Sequence, residues 1–159
     1  MLQQSLTYTL ATIADDAIKS GTQLFERRIG LDVYHVRILR LIDDSPGITF
    51  TQLASRTRLE RTATSRALQR LIKAGLVERA NAAADARQFH LTVTPKGRKL
   101  RRTSDPLTKE LEALMLQPLN ENERTAFLSA LAKINGWVNS GYRDAVSHRF
   151  PKPTTGSSA

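Results

Sequence analysis

The feature that most restricts this fold is a change of hydrophobic period at Gly75. Before that glycine, apolar residues recur at helical spacing. After it, Leu76-Val77-Glu78-Arg79 and Phe89-His90-Leu91-Thr92-Val93 read as two short strands, with the small and polar stretch from Asn81 to Asp85 as the hairpin loop between them. Thr94-Pro95 then restarts a helix, threonine serving as N-cap and proline at the first helical position, where its missing N–H is no loss. The fold class expected is mainly α with a small β-hairpin.

The helices around the hairpin announce their own ends. Leu6, Leu10, Ile13, Ala17 and Leu24 form the stripe of a first helix that stops near Gly30. Asp32 can cap a second, with Val36, Leu39 and Ile42 as its stripe and Ser45-Pro46-Gly47 as its stop. Thr49 and Gln52 make a capping-box pattern for a short third helix reaching about Thr57. A fourth runs from about Arg61 to Lys73, with Gly75 as its C-terminal stop. Beyond the hairpin, Leu100, Leu107, Leu111 and Leu114 mark a fifth helix that Pro106 should kink or restart. Asn120 and Glu123 cap a last one, with Phe127, Leu131, Ile134, Val138 and Tyr142 on one face. From Phe150 onward the chain reads as a disordered tail.

Charge is concentrated on the middle of this layout. Residues 49–102 hold 13 of the 24 Lys and Arg but only 3 of the 15 Asp and Glu, a local charge of +10 against −1 for everything else. A polyanion partner accounts for such an excess, because each neutralised phosphate releases condensed counterions. A solvated basic face is the plainer alternative, and the fourth helix separates the two. Ala63, Ala67, Leu68, Leu71 and Ile72 are expected to face the core. Arg61, Thr62, Thr64, Ser65, Arg66 and Gln69 then face outward, as hydroxyls, an amide and guanidinium groups suited to base edges and phosphates. No acidic residue lies between Arg61 and Gly75. Two short helices joined by a tight turn and followed by a basic hairpin match a winged helix-turn-helix.

The pattern Leu53-Ala54, Ala63-Thr64-Ser65-Arg66, Leu71-Ile72-Lys73-Ala74-Gly75-Leu76-Val77-Glu78-Arg79, then Asp85-Ala86-Arg87 and Leu91-Thr92-Val93-Thr94-Pro95-Lys96-Gly97 resembles the MarR family of bacterial transcription regulators. The likeness covers roughly residues 5 to 145. It implies a homodimer in which the first and last two helices interleave as a dimerisation lobe, and two winged-helix lobes dock on a pseudo-palindromic operator in double-stranded DNA. The implied division is 1–30 for the N-terminal dimerisation helix, 31–94 for the DNA-binding lobe, 95–148 for the C-terminal dimerisation helices and 149–159 for the tail. Residue by residue, Arg61, Thr62, Thr64, Ser65, Arg66 and Gln69 fall on the recognition helix. Arg87 falls at the wing tip, reaching the minor groove with Asp85 as the acceptor that holds it. Thr51, Arg98 and Arg102 are expected phosphate contacts. Two positions depart from the family pattern: Gln88 stands where a second wing cation is usual, and Glu60 precedes the recognition helix where Ser or Asp is usual. The resemblance also implies a repressor relieved by a small aromatic or phenolic effector, with Tyr34, His35, Arg37 and Arg40 as polar lining of its pocket.

Other chemistry finds little support. The chain has no cysteine, and His35, His90 and His148 fall in three different elements without ligand spacing, so neither a metal site nor another cofactor is expected. Asp15-Asp16 and Asp43-Asp44 are adjacent pairs, which point apart on a helix and suit caps better than acid–base catalysis. No nucleophile–base set can be assembled, so an enzyme is not expected. No stretch could span a bilayer and no basic leader precedes an apolar run, so a cytoplasmic protein is expected. Two rival readings of the basic lobe are a sequence-indifferent architectural DNA binder and a winged-helix module that meets an acidic protein.

Overall fold

The computed structural model describes residues 5–82 and 85–151, with the backbone alone at 81, 82 and 85–88. Two compact units result, Met1–Met115 and Leu116–Ala159. The first contains α1 (Leu6–Ile29), α2 (Val33–Asp43), β1 (Ile48–Thr49), α3 (Phe50–Thr57), α4 (Arg61–Lys73), β2 (Val77–Ala82), β3 (Asp85–Val93) and α5 (Pro95–Met115). The fold is mainly helical with a small antiparallel sheet, as the sequence indicates.

Local signals fix most of these boundaries. Asp32 accepts from the His35 N–H at 2.8 Å and starts α2. Thr49 and Gln52 exchange both bonds of the capping box that starts α3. Thr94 Oγ1 accepts from the Gly97 N–H at 3.1 Å and donates to the Gly75 carbonyl at 2.7 Å, which ties the start of α5 to the end of α4. Gly30 and Gly75 both adopt positive φ, the left-handed conformation that ends a helix with little strain in glycine.

α2 lies at the centre of the core. Val36, Ile38, Leu39 and Ile42 are buried there against Phe25 of α1, Leu53 of α3, Leu68 and Leu71 of α4, and Leu76, Val77, Leu91 and Val93 of the sheet. Leu100, Leu107 and Leu111 of α5 close the cluster from one side. The first unit is therefore held on a single hydrophobic core.

The structure corrects the sequence in three places here. The sheet has a third strand: β1 pairs with β3, Ile48 opposite Leu91, giving the order β1-β3-β2. The His90 ring reinforces that pairing, with Nδ1 2.6 Å from the Gly47 carbonyl oxygen. Hairpin pairing also extends further than expected, because Asn81, Ala82 and Asp85 belong to strands rather than to the loop. Its register jumps between Asn81 opposite Phe89 and Ala82 opposite Asp85, so residues 86–88 form an irregular bulge. Finally, α5 runs through Pro106 without restarting. The proline removes one backbone bond, but the helix is clamped from outside on both sides of it by Arg101, Asp105 and Thr108, as described below.

The second unit contains α6 (Glu121–Ser140) and α7 (Tyr142–Arg149). Asn120 and Glu123 form the expected capping box, at 3.0 and 2.8 Å. The last helix is split, however, and Tyr142 begins a new segment. The Trp137 ring lies against Gly141 so closely that a Cβ there would sit 2.5 Å from Trp137 Cζ3. Neither helix buries a single residue. Phe127, Leu128, Leu131, Ile134, Trp137 and Val138 are all exposed along α6. The tail expected from residue 149 overlaps α7 at Arg149, and from residue 152 on it lies outside the described residues.

Candidate nucleic-acid interface

The candidate interface is built from α3, α4 and the hairpin. Thr64, Ala67, Leu68 and Leu71 occur at i, i+3, i+4 and i+7, and they are the buried side of α4. The opposite side exposes Arg61, Thr62, Ala63, Arg66, Gln69, Arg70 and Lys73, with Ser65 at the boundary. The buried face is thus one residue out of phase with the sequence expectation at its start: Ala63 is exposed and Thr64 takes its place. Thr64 is fully buried and cannot contact a base. Its hydroxyl lies 3.0 Å from Thr57 Oγ1 and donates to the Glu60 carbonyl at 3.1 Å.

The remaining α4 candidates do share one exposed side. Arg61 sits at the first turn, its guanidinium 4.8 Å from the centre of the Phe50 ring. A cation at a helix N-terminus opposes the macrodipole, and the ring face offsets part of that penalty. Thr62, Arg66 and Gln69 make no hydrogen bond or ion pair among the described residues. Thr51 is exposed on the first turn of α3. Asp85 and Arg87 lie on β3, but their side chains fall outside the described residues.

Part of the basic character turns out to be structural. Arg101 Nη1 lies 2.5 Å from Asp43 Oδ2 and Nη2 lies 2.7 Å from Asp44 Oδ1. The Asp43 hydrogen bond, helped by that of Asp44 and by both charges, outweighs burial and raises the Arg101 pKa above its ordinary value. This corrects one expectation: Asp43 and Asp44 converge on one cation instead of pointing apart. Arg98, expected on a phosphate, spends one guanidinium nitrogen on the Val93 carbonyl at 2.6 Å. Lys96 donates to the Ala74 carbonyl, Arg70 to that of Gly30 and Arg56 to Ser45 Oγ. Arg102 and Lys99 are exposed on α5 and have no such partner among the described residues.

The four ligand candidates on α2 meet different partners. Arg37 is exposed and stacks over Tyr34, 5.8 Å from the ring centre. His35 turns inward, its Nδ1 2.6 Å from Asp32 Oδ1. Burial raises the Asp32 pKa, but the hydrogen bonds and charge contributed by His35 outweigh it and leave the carboxyl below its ordinary range. Arg40 Nη2 reaches across to α5, 2.6 Å from Asp105 Oδ1 and 2.8 Å from Thr108 Oγ1. Among the described residues, no group of His, Asp and Glu could hold a metal ion, and no helix is long and apolar enough to cross a membrane.

Comparison with known proteins agrees with this geometry. Residues 29–88 match a family model described as MarR family. The HTH-type transcriptional repressor Rv2887 of Mycobacterium tuberculosis is 26% identical over 106 residues, covering 67% of this chain and 76% of the relative. The crystal structure of the transcriptional regulator BldR from Sulfolobus solfataricus aligns at 27% identity with a TM-score of 0.73, over 82% of this chain and 92% of BldR. Over residues 29–88 the chain is similar to the MarR family of transcriptional regulators. Rv2887 in complex with p-aminosalicylic acid shares the fold at 23% identity, with a TM-score of 0.71 over 82% of this chain and 98% of that one.

The same lobe of this chain holds one feature that no sequence pattern indicates. A cavity of about 220 Å³ opens between α4 and the sheet, lined by Phe50, Ser65, Leu68, Arg79, Phe89 and Leu91. Arg79 lies over Phe89, 5.8 Å from the ring centre. The lining joins residues from α3, α4, β2 and β3, so no local pattern could have revealed it.

Proposed function

We propose that the protein is a homodimeric repressor that binds a pseudo-palindromic operator in double-stranded DNA and is released by a small aromatic or phenolic anion. The observation that carries this reading is the exposed side of α4, on which Arg61, Thr62, Arg66 and Gln69 stand together with Ser65 at its edge and no acidic residue among them. Such a face suits major-groove edges, with flanking phosphates left to Thr51, Arg102 and, through its remaining nitrogens, Arg98. The hairpin would bring Arg87 to the minor groove with Asp85 beside it. Dimerisation is supported by the uncovered apolar side chains of α1 and α6, which a monomer would leave in water. On this reading residues 1–30 and 95–148 supply the dimerisation helices and 31–94 the DNA-binding lobe. Two lobes would meet half-sites about 34–36 Å apart, so a small lobe rotation forfeits several contacts at once.

Support for an effector comes from relatives: Rv2887 has been solved with salicylic acid as well as p-aminosalicylic acid. In this chain the cavity beside Ser65 offers two phenyl rings and the Arg79 guanidinium, and its volume suits a single ring better than the drug-sized ligands of sites of about 300–1,000 Å³. Tyr34, His35, Arg37 and Arg40 on α2 are the other candidate lining, although His35 is engaged with Asp32 and Arg40 with Asp105. Fluorescence anisotropy with a duplex enriched from a random pool tests the whole reading. Ser65→Ala or Gln69→Ala should weaken the enriched duplex by about 1–3 kcal/mol and a scrambled one by less. Salicylate should release the enriched duplex from the wild-type protein. Equal losses on both duplexes would point to an architectural binder, and no duplex binding at all to a protein-interaction module.

A further inference from the structure

The one fully buried polar side chain of α4 has no role in reading DNA directly, yet it lies immediately before Ser65 and Arg66. Thr64 meets Thr57, the last residue of α3, with their hydroxyl oxygens 3.0 Å apart. Thr64 also reaches the Glu60 carbonyl at 3.1 Å, and Thr57 reaches the Ala54 carbonyl at 3.3 Å while accepting from the Leu59 N–H at 3.4 Å. Each hydroxyl has one hydrogen, so three proton orders exist: Thr57 donates to Thr64 and Thr64 to Glu60, Thr64 donates to Thr57 and Thr57 to Ala54, or each donates to its own carbonyl. The first two keep the inter-helix bond; the third sets two oxygen lone pairs face to face at 3.0 Å and is disfavoured.

Leu59 of the turn between α3 and α4 packs on the core, and the hydroxyl pair adds a directional contact to it. α3 is eight residues long and buries only Leu53. Arg58, in the turn, is the one non-glycine residue with positive φ among the described residues, so its backbone is in a conformation that side chains disfavour. Apolar packing alone would also set a wider separation. Carbon atoms in contact sit about 3.5–4.0 Å apart, whereas the two hydroxyl oxygens sit 3.0 Å apart. A shift of that size at Thr64 moves Ser65 and Arg66 with it, and hydrogen bonds to base edges weaken steeply over such a distance.

We propose that the Thr57–Thr64 hydroxyl pair is a positioning element for DNA reading, setting the angle and spacing of α4 on α3 so that its outer face meets the bases in register. This inference rests on the proposed DNA-binding function. The test uses the full-length protein, a duplex enriched by the wild type from a random pool and a scrambled duplex of equal length. Thr64→Val should keep scrambled-duplex affinity within about twofold and lower the enriched-to-scrambled ratio about tenfold, one base contact's worth. Thr64→Ser, which keeps the hydroxyl, should retain the ratio. The double variant Thr57→Val with Thr64→Val leaves no orphaned hydroxyl between them, so its melting temperature should recover toward wild type while its ratio stays low. A Thr64→Val ratio within twofold of wild type, a Thr64→Ser ratio as low as that of Thr64→Val, or recovery of the ratio in the double variant would each overturn the proposal. A wild type with no preference between the duplexes would overturn the DNA-reading function and this inference with it.

Discussion

Arg101 and Arg102 are adjacent, identical in type and opposite in expected role. Arg101 keeps 25% of its side-chain exposure and Asp43 keeps 19%, while Asp44 is 59% exposed. Exposed ion pairs are worth about 0–1 kcal/mol. Breaking a buried one by removing a single partner costs about 3–5 kcal/mol, because a charge is left without compensation. The Asp43 contact lies between those limits and the Asp44 contact near the lower one, so Arg101→Met should destabilise the fold by about 2 kcal/mol. For a chain of this size that corresponds to a fall in Tm of about 4–8 °C. Arg102→Ala, at an exposed position, should stay within about 0.5 kcal/mol of wild type. DNA binding should show the reverse. If Arg102 meets a phosphate, its loss lowers the salt dependence of binding by about 0.9 in log–log slope. Arg101 is already neutralised by two carboxylates, so Arg101→Met should leave that slope unchanged at temperatures where the fold is intact. Thermal melts and binding titrations over a salt series measure both quantities. An Arg101→Met protein with wild-type Tm and a reduced slope would refute the reasoning.

Three further outcomes follow from particular contacts. Gly97→Ala should destabilise the protein by about 2 kcal/mol or more in thermal melts, because a Cβ there would overlap the Leu76 carbonyl oxygen and lie 2.6 Å from Val93 Cγ1; a wild-type Tm would show that the start of α5 can move away. Asp32→Asn keeps an N-cap but removes the charge beside His35. The Asp32 pKa is lowered from its ordinary 3.8, so its contribution is present above that pH and is lost as pH falls through the lower folded value. The stability gap between wild type and Asp32→Asn in urea melts should therefore close on acidification below 3.8, and a gap that widens would contradict the assignment. Wild-type protein should sediment as a dimer at micromolar concentration, and Leu131→Glu with Trp137→Glu should shift it toward monomer; a monomeric wild type of unchanged helicity would remove the two-half-site arrangement.

The legible part of this fold was the part written in local chemistry. Caps at Asp32, Thr49, Thr94 and Asn120, and stops at Gly30 and Gly75, each depend on residues within one turn of one another, and each is found where the sequence places it. What the sequence did not yield depends on distant partners. β1 is two residues long, too short to show an alternation, and exists because Leu91 and His90 lie opposite it. Thr64 reads as polar and hence exposed; the Glu60 carbonyl and Thr57, seven residues earlier across a turn, make its burial tolerable. Arg101 differs from Arg102 only by a rotation of one residue around α5, which brings it to Asp43 and Asp44, 58 residues or so away in sequence. The same rule covers the cavity, whose lining is drawn from four elements.

The central claim is that the exposed side of α4 reads sequence as one half of a symmetric pair. Selection of bound duplexes from a random pool by the full-length protein tests it most directly. The expected result is a pseudo-palindromic consensus whose half-sites are centred about one helical turn, roughly 10–10.5 base pairs, apart. A pool that binds without enrichment, or a consensus with no dyad, would contradict it.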